Sequence, residues 1–137
     1  MNDSPLSGYS GKPLSHKLGL KSGMKAYVIS APKEYKTWLG KDASLIQKRS
    51  FPPWDFVHIF TNKLSELEDQ LAAVRSEITN NGMIWVSWYK KSSGLRTEIT
   101  EDLVRETCFP LGLVDIKVCS VSDDWSGVKL VIRKKLR

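Results

Sequence analysis

The sequence predicts an α/β protein with a mixed, mostly parallel sheet, helices on both faces and an antiparallel hairpin at its carboxyl end. Three observations carry this. Residues 24–31 (MKAYVISA), 55–60 (DFVHIF) and 83–88 (MIWVSW) are short β-branched and aromatic runs of strand length. Between the second and third, Leu64, Leu67, Leu71, Val74 and Ile78 recur at intervals of three and four, which lays one apolar stripe along a helix. Residues 115–121 and 128–133 are β-rich segments around a turn of Asp, Ser and Gly, so they pair antiparallel. Strand, helix, strand, helix and hairpin in that order describe a parallel sheet edged by the hairpin.

Residues 1–23 are polar and broken by Gly8, Gly11, Pro13, Gly19 and Gly23, with one short helix expected at 14–18; they read as an arm that packs on a single domain of residues 24–137. Within it Gly8 and Gly11 let the chain turn while Tyr9 and Leu14 pack. Strand one stops at Pro32, which has no amide hydrogen to donate. A short helix or turn over 33–39 and a strand candidate at 44–48 precede the Phe51-Pro52-Pro53 break. The helix of 63–79 starts with Thr61 or Asn62 as cap and ends at Asn80-Asn81-Gly82, residues that tolerate the left-handed conformation. The third strand is nearly continuous in apolar residues, as a sheet covered on both faces requires. Alternation puts Trp85, Ser87 and Tyr89 on one face and Trp88 on the other. Thr100 caps the next helix, whose first turn carries Glu101 and Asp102 against the positive helix end, and Pro110 with Gly112 ends it.

A chain of 137 residues with net charge +6 buries about two-thirds of its unfolded surface as one domain and needs no staples. Its two cysteines, Cys108 and Cys119, have neither CxxC spacing nor a histidine nearby, so no zinc or redox site is expected. MNDSPLSGYS has no apolar run and no stretch reaches membrane-span length, so a secretory leader and a membrane are not expected and the cytoplasm is. The positive charge suits a solvated surface first and an acidic partner second, because it is spread along the chain.

The boxes GYSGKPLSHKLGLKSG, WVSWYKKSSG, TEDLVRETCFPLGLVDIKVCSV and WSGVKLVIRK together resemble a bacterial family known only as a domain of unknown function. More distantly, residues 55–133 are similar in layout to the last third of a class I methyltransferase, a Rossmann-like fold, with MKAYVISA in the place of its first strand. That resemblance implies a glycine-rich turn after strand one, an acidic residue after strand two and two further strand and helix units. Here the turn is Ala31-Pro32-Lys33-Glu34, and only residues 32–54 separate the first strand from DFVHIF. The expectation is a trimmed sheet with no cofactor.

In an open α/β sheet ligands bind at the carboxyl ends of the strands. The candidates there are Lys33, Asn62, Lys90, Lys91, Ser92, Ser93, Arg96 and Thr97, expected to converge on an anion, with no catalytic and no metal-binding residue among them. Gly11-Lys12 does not make a phosphate loop, since Pro13 follows the lysine and no strand precedes it. His58, in the middle of an apolar strand, is expected to be buried and hydrogen-bonded. The chain thus reads as a non-catalytic binding or regulatory module. Its alternatives are a small enzyme or receptor for a phosphate-bearing or nucleotide ligand, and nucleic-acid binding by the basic surface; a protein partner would dock on exposed apolar residues of the arm or hairpin edge.

Overall fold

A computed structural model describes residues 13–46 and 51–137. Gly8, Tyr9, Gly11 and Lys12 and the end of the 44–48 strand candidate lie outside the described residues. The chain runs α1 (Leu14–Leu18), β1 (Ala26–Ile29), α2 (Tyr35–Leu39), β2 (Trp54–Phe60), α3 (Leu64–Arg75), β3 (Ile78–Tyr89), α4 (Glu101–Cys108), β4 (Leu113–Ser120) and β5 (Trp125–Ile132). The sheet order is β1-β2-β3-β5-β4. β1, β2 and β3 pair in parallel, and β5 is antiparallel to both β3 and β4. The hairpin therefore closes the sheet with its second arm inside. Burial explains the choice: Val128, Leu130 and Ile132 of β5 are covered, whereas Ile116, Lys117 and Val118 of β4 face solvent.

Helices cover both faces, as alternation along the strands demands. On one face Leu67, Leu71 and Val74 of α3 and Val104 and Cys108 of α4 pack on Val57, Ile59, Ile84, Val86, Val128 and Leu130. On the other, Leu14 and Leu18 of α1 and Tyr35 and Leu39 of α2 pack on Phe56, Phe60, Met83, Trp85 and Val121. The indole of Trp85 donates to the carbonyl of Leu18 at 2.8 Å, which ties α1 to the centre of the sheet. The expected opposition of Trp85 and Trp88 is found, since Trp88 belongs to the α3 and α4 side.

Three local expectations are corrected. The helix expected over 63–79 ends at Arg75, and Ile78 opens β3 instead. Ile78 continues the helical spacing only by coincidence: it is paired with Trp54, whose amide donates to the Glu77 carbonyl at 2.7 Å. Asn80-Asn81-Gly82 is extended strand rather than a left-handed cap. Gly82 is there for space, because a Cβ would stand 3.0 Å from the Trp54 carbonyl, beside the register shift between Trp54 and Phe56. In the 44–48 region, Gly40–Leu45 is a 3-10 helix, not a strand.

The start of α3 differs as well. Thr61 accepts the Lys63 amide at 3.2 Å, but the Leu64 amide goes to Glu98 at 2.8 Å, and Asn62 takes no part. At α4 the expected cap is present: Thr100 Oγ1 accepts the Leu103 amide at 3.1 Å, and Gly112 at φ 80° lies in the left-handed region beyond Phe109–Leu111.

Candidate anion-binding cleft

The carboxyl end of β3 opens into a cleft of about 1130 Å³ between the loop that follows it and the first turn of α4. The loop is built locally. Lys91–Ser93 form a single 3-10 turn ended by Gly94 at φ 72°. Ser93 turns inward, donating to the Lys90 carbonyl at 2.7 Å and accepting the Leu95 amide at 3.0 Å. Lys91, Ser92 and Arg96 are left exposed on the cleft wall, with Thr97 half-buried behind them. Trp88, Tyr89, Leu95 and Ile99 supply its apolar surface.

Two carboxylates, Glu101 and Asp102, also line the cleft. Their charge is answered by Arg105, which meets Glu101 at 2.7 Å, Asp102 at 2.8 Å and Asp115 at 3.1 Å. These are solvent-exposed pairs of small energetic weight, but they leave Lys91 and Arg96 as the cations without such a carboxylate among the described contacts of the wall. The arrangement suits a ligand with an anionic group and an apolar body.

The sequence candidates divide. Lys90, Lys91, Ser92, Arg96 and Thr97 share this cleft. Lys90 contributes mainly its stem, because its ammonium donates to Ser120 Oγ at 2.6 Å. Asn62 is a brace: its side-chain oxygen accepts the Tyr89 amide at 2.8 Å and its carbonyl the Glu98 amide at 2.9 Å. The expected convergence with Lys33 does not occur. Lys33 lines a separate depression of about 990 Å³ beside the edge strand β1, with Val28, Pro32, Tyr35, Leu39 and Ile46. Two strand spacings of nearly 5 Å part β1 from β3, and α2 carries the chain onto the opposite face.

His58 is fully buried on the α2 side, as its place in the strand implied. Its Nδ1 lies 2.9 Å from the Tyr35 hydroxyl and its Nε2 2.8 Å from the Ser87 hydroxyl, so a neutral ring accepts on one side and donates on the other. Burial pushes its pKa down to about 3 and pushes that of Tyr35 up. Serine, histidine and tyrosine in hydrogen-bonded series match a nucleophilic site only in composition, since Ser87 and His58 have no exposed surface for a substrate to reach. Among the described residues no group of three His, Cys, Asp or Glu side chains is placed to hold a metal, and no helix is long and apolar enough to cross a membrane. At the hairpin edge Ile116 and Val118 are 55% and 51% exposed.

Methyltransferases are among the solved structures with a similar fold. TrmN from Thermus thermophilus superimposes with a TM-score of 0.55 at 12% identity, over 87% of this chain and 47% of that one. The mitomycin 7-O-methyltransferase MmcR gives 0.61 at 9% identity over 88% and 53%, so this chain spans about half the length of either enzyme. A protein assigned as a type 11 methyltransferase, from Sulfolobus solfataricus, gives 0.57 at 13% identity over 88% and 90%. At such identities the likeness concerns the fold. A comparison with curated proteins gives no match. The family model described as "Protein of unknown function (DUF3052)" matches residues 43–134, two-thirds of the chain, from the turn before β2 to the end of the hairpin. The chain therefore belongs to that family of unknown function, built on a methyltransferase-like α/β sheet.

Proposed function

We infer that the protein is a non-catalytic binding module of the cytoplasm that takes a phosphate-bearing ligand in the cleft at the end of β3. The observation that carries this reading is the gathering of Lys91, Ser92, Arg96 and Thr97 on one wall while Arg105 occupies the carboxylates opposite. The turn after β1 supports the non-catalytic part. Ser30, Ala31, Pro32 and Lys33 stand where the methyltransferase resemblance requires glycines, and each side chain, with the missing amide hydrogen of Pro32, obstructs a close backbone approach to a nucleoside. Ser30 itself holds φ 57°, a conformation glycine would adopt without strain. The reading of residues 1–23 as an arm on a single domain of 24–137 is supported from Leu14 onward, where Leu14 and Leu18 pack as anchors.

Calorimetric titration with pyrophosphate, ATP and adenosylmethionine tests the reading. Pyrophosphate or ATP should bind, and the K91A/R96A double variant should weaken that binding by about tenfold, the equivalent of ~1.4 kcal/mol. Binding of adenosylmethionine with turnover of its methyl group, or silence toward every phosphate compound, would remove it. A protein partner is the second reading, favoured by the exposed Ile116 and Val118 on edge strand β4.

A further inference from the structure

A cationic surface that meets the cleft only at Tyr89 and Lys90 lies on the face of the sheet that carries α1. Lys117 of β4 and Lys129 of β5 are direct cross-strand partners. Like charges in such a pairing oppose the ladder that holds them. Lys117 Nζ donates to the carbonyl of Lys17 at 3.1 Å, Lys17 Nζ to the carbonyl of Ser120 at 2.7 Å, and Lys90 Nζ to the Ser120 hydroxyl at 2.6 Å. The ammonium of Lys129 lies over Gly19, 3.9 Å from where a Cβ would stand. Lysines from α1, the end of β3 and both arms of the hairpin thus crowd around Ser120 and the end of α1.

The crowding is felt electrostatically. Lys17 and Lys129 both lose proton affinity, first through burial; Cys119 opposes this at Lys17 while Lys90 and Lys117 add to it, and Lys117 and Lys21 add to it at Lys129. Among the described residues neither Lys117 nor Lys129 has a carboxylate in salt-bridge reach; the ion pairs there centre on Arg105. Backbone carbonyls at the end of a short helix can hold a cation or two. They do not account for a like-charge pair placed in register on the adjoining strands.

Aromatic faces adjoin the cations. Tyr89 and Trp125 are cross-strand partners, half-buried, with ring centroids 4.5 Å apart, and they directly precede Lys90 and follow the turn after Ser120. Exposed Asp123 and Asp124 in that turn end the cationic run along the hairpin. Ammonium groups beside partly open rings are what a single strand requires, phosphates on the cations and bases on the rings. We propose that this surface binds the phosphate backbone of single-stranded nucleic acid, with Lys117, Lys129, Lys90 and Lys17 as its cations and Tyr89 and Trp125 as stacking faces. It shares Lys90 and Tyr89 with the rim of the cleft, but Lys117, Lys129 and Lys17 lie outside it and the cleft's Lys91 and Arg96 are not used.

Fluorescence anisotropy with a labelled single-stranded oligothymidine, repeated across a potassium chloride series, is the test. Wild-type affinity should fall steeply with salt. The K117Q/K129Q double variant should bind about tenfold more weakly at low salt, with a log-log salt slope shallower by about 1.4, two phosphate contacts' worth for a single strand. Its thermal midpoint should hold or rise, because the repulsive pair is gone. The single K117Q variant, altered at an exposed position, should show half the change in slope and guards against misfolding of the double. Absence of oligonucleotide binding by the wild type at low salt would overturn the proposal. So would a double variant with unchanged slope and a lowered midpoint, which would make these lysines braces of α1, or equal affinity for anionic vesicles or an acidic peptide.

Discussion

Trp85→Ala should cost the folded protein about 3–5 kcal/mol, the upper range for emptying a buried aromatic site. Trp85 is the largest of the fully buried side chains and sits mid-strand between β2 and β5. Two features make the vacated volume hard to refill. Gly127, its neighbour on β5, has no side chain to lean in, since a Cβ there already stands 3.3 Å from the indole and 2.9 Å from Val121. The Leu18 carbonyl also loses the indole N–H that satisfies it at 2.8 Å, so α1 loses its tie to the centre of the sheet. Trp85→Phe keeps most of the apolar volume and should cost less than half as much. Equilibrium urea unfolding followed by circular dichroism measures both. A Trp85→Ala loss below about 1 kcal/mol would mean that α1 and the sheet face under it are not packed as described.

Acid should destabilise the protein through His58. In the unfolded chain this histidine takes a proton below its ordinary value of 6.5, while in the fold it stays neutral down to about 3 because burial disfavours the charge. The folded pKa is the lower one, so the stabilisation is complete above 6.5 and is lost as the pH falls from there toward 3. The slope approaches about 1.4 kcal/mol per pH unit, or roughly 3 kcal/mol by about pH 4 from this one residue. Among the described residues no carboxylate is hydrogen-bonded to the ring to relieve it; its polar neighbours are the hydroxyls of Tyr35 and Ser87, and Phe56, Phe60 and Trp85 surround the rest. Stability measured between about pH 4 and 8 should show that slope in the wild type and lack it in a His58→Gln variant, which starts lower but does not titrate. Parallel pH profiles for the two proteins would refute the assignment.

Much of this molecule is legible in its residues where local chemistry and tertiary burial agree. The three parallel strands, the Thr100 cap, the hairpin, the opposite facing of Trp85 and Trp88 and the satisfied burial of His58 all follow from alternation, turn residues and capping. Legibility fails where two elements share one pattern. Ile78 fits the stripe of α3 as well as the start of β3, and only pairing with Trp54, far away in sequence, assigns it to the strand. Gly82 carries a turn signal, yet the space it vacates belongs to the Trp54 carbonyl. The site divides in the same way. Lys90 to Thr97 stay together because one loop carries them, whereas Lys33 departs with α2. The lysines around Ser120 come from distant segments, Lys17 lying 103 residues before Ser120, though Lys117 and Lys129, equally distant from Asp123 in the hairpin, are a pair that its register foretells.

The proposed function puts the ligand in the cleft at the end of β3, not at the turn after β1. Amide chemical-shift mapping of the isotopically labelled protein addresses this most directly, with pyrophosphate and adenosylmethionine added in turn. Pyrophosphate should move the amides of Lys91 to Thr97 and leave those of Ser30 to Glu34 in place, and adenosylmethionine should move neither set. Saturable shifts at Ser30, Ala31, Lys33 and Glu34 on adding adenosylmethionine would contradict this and return the protein to the chemistry of the enzymes whose fold it shares.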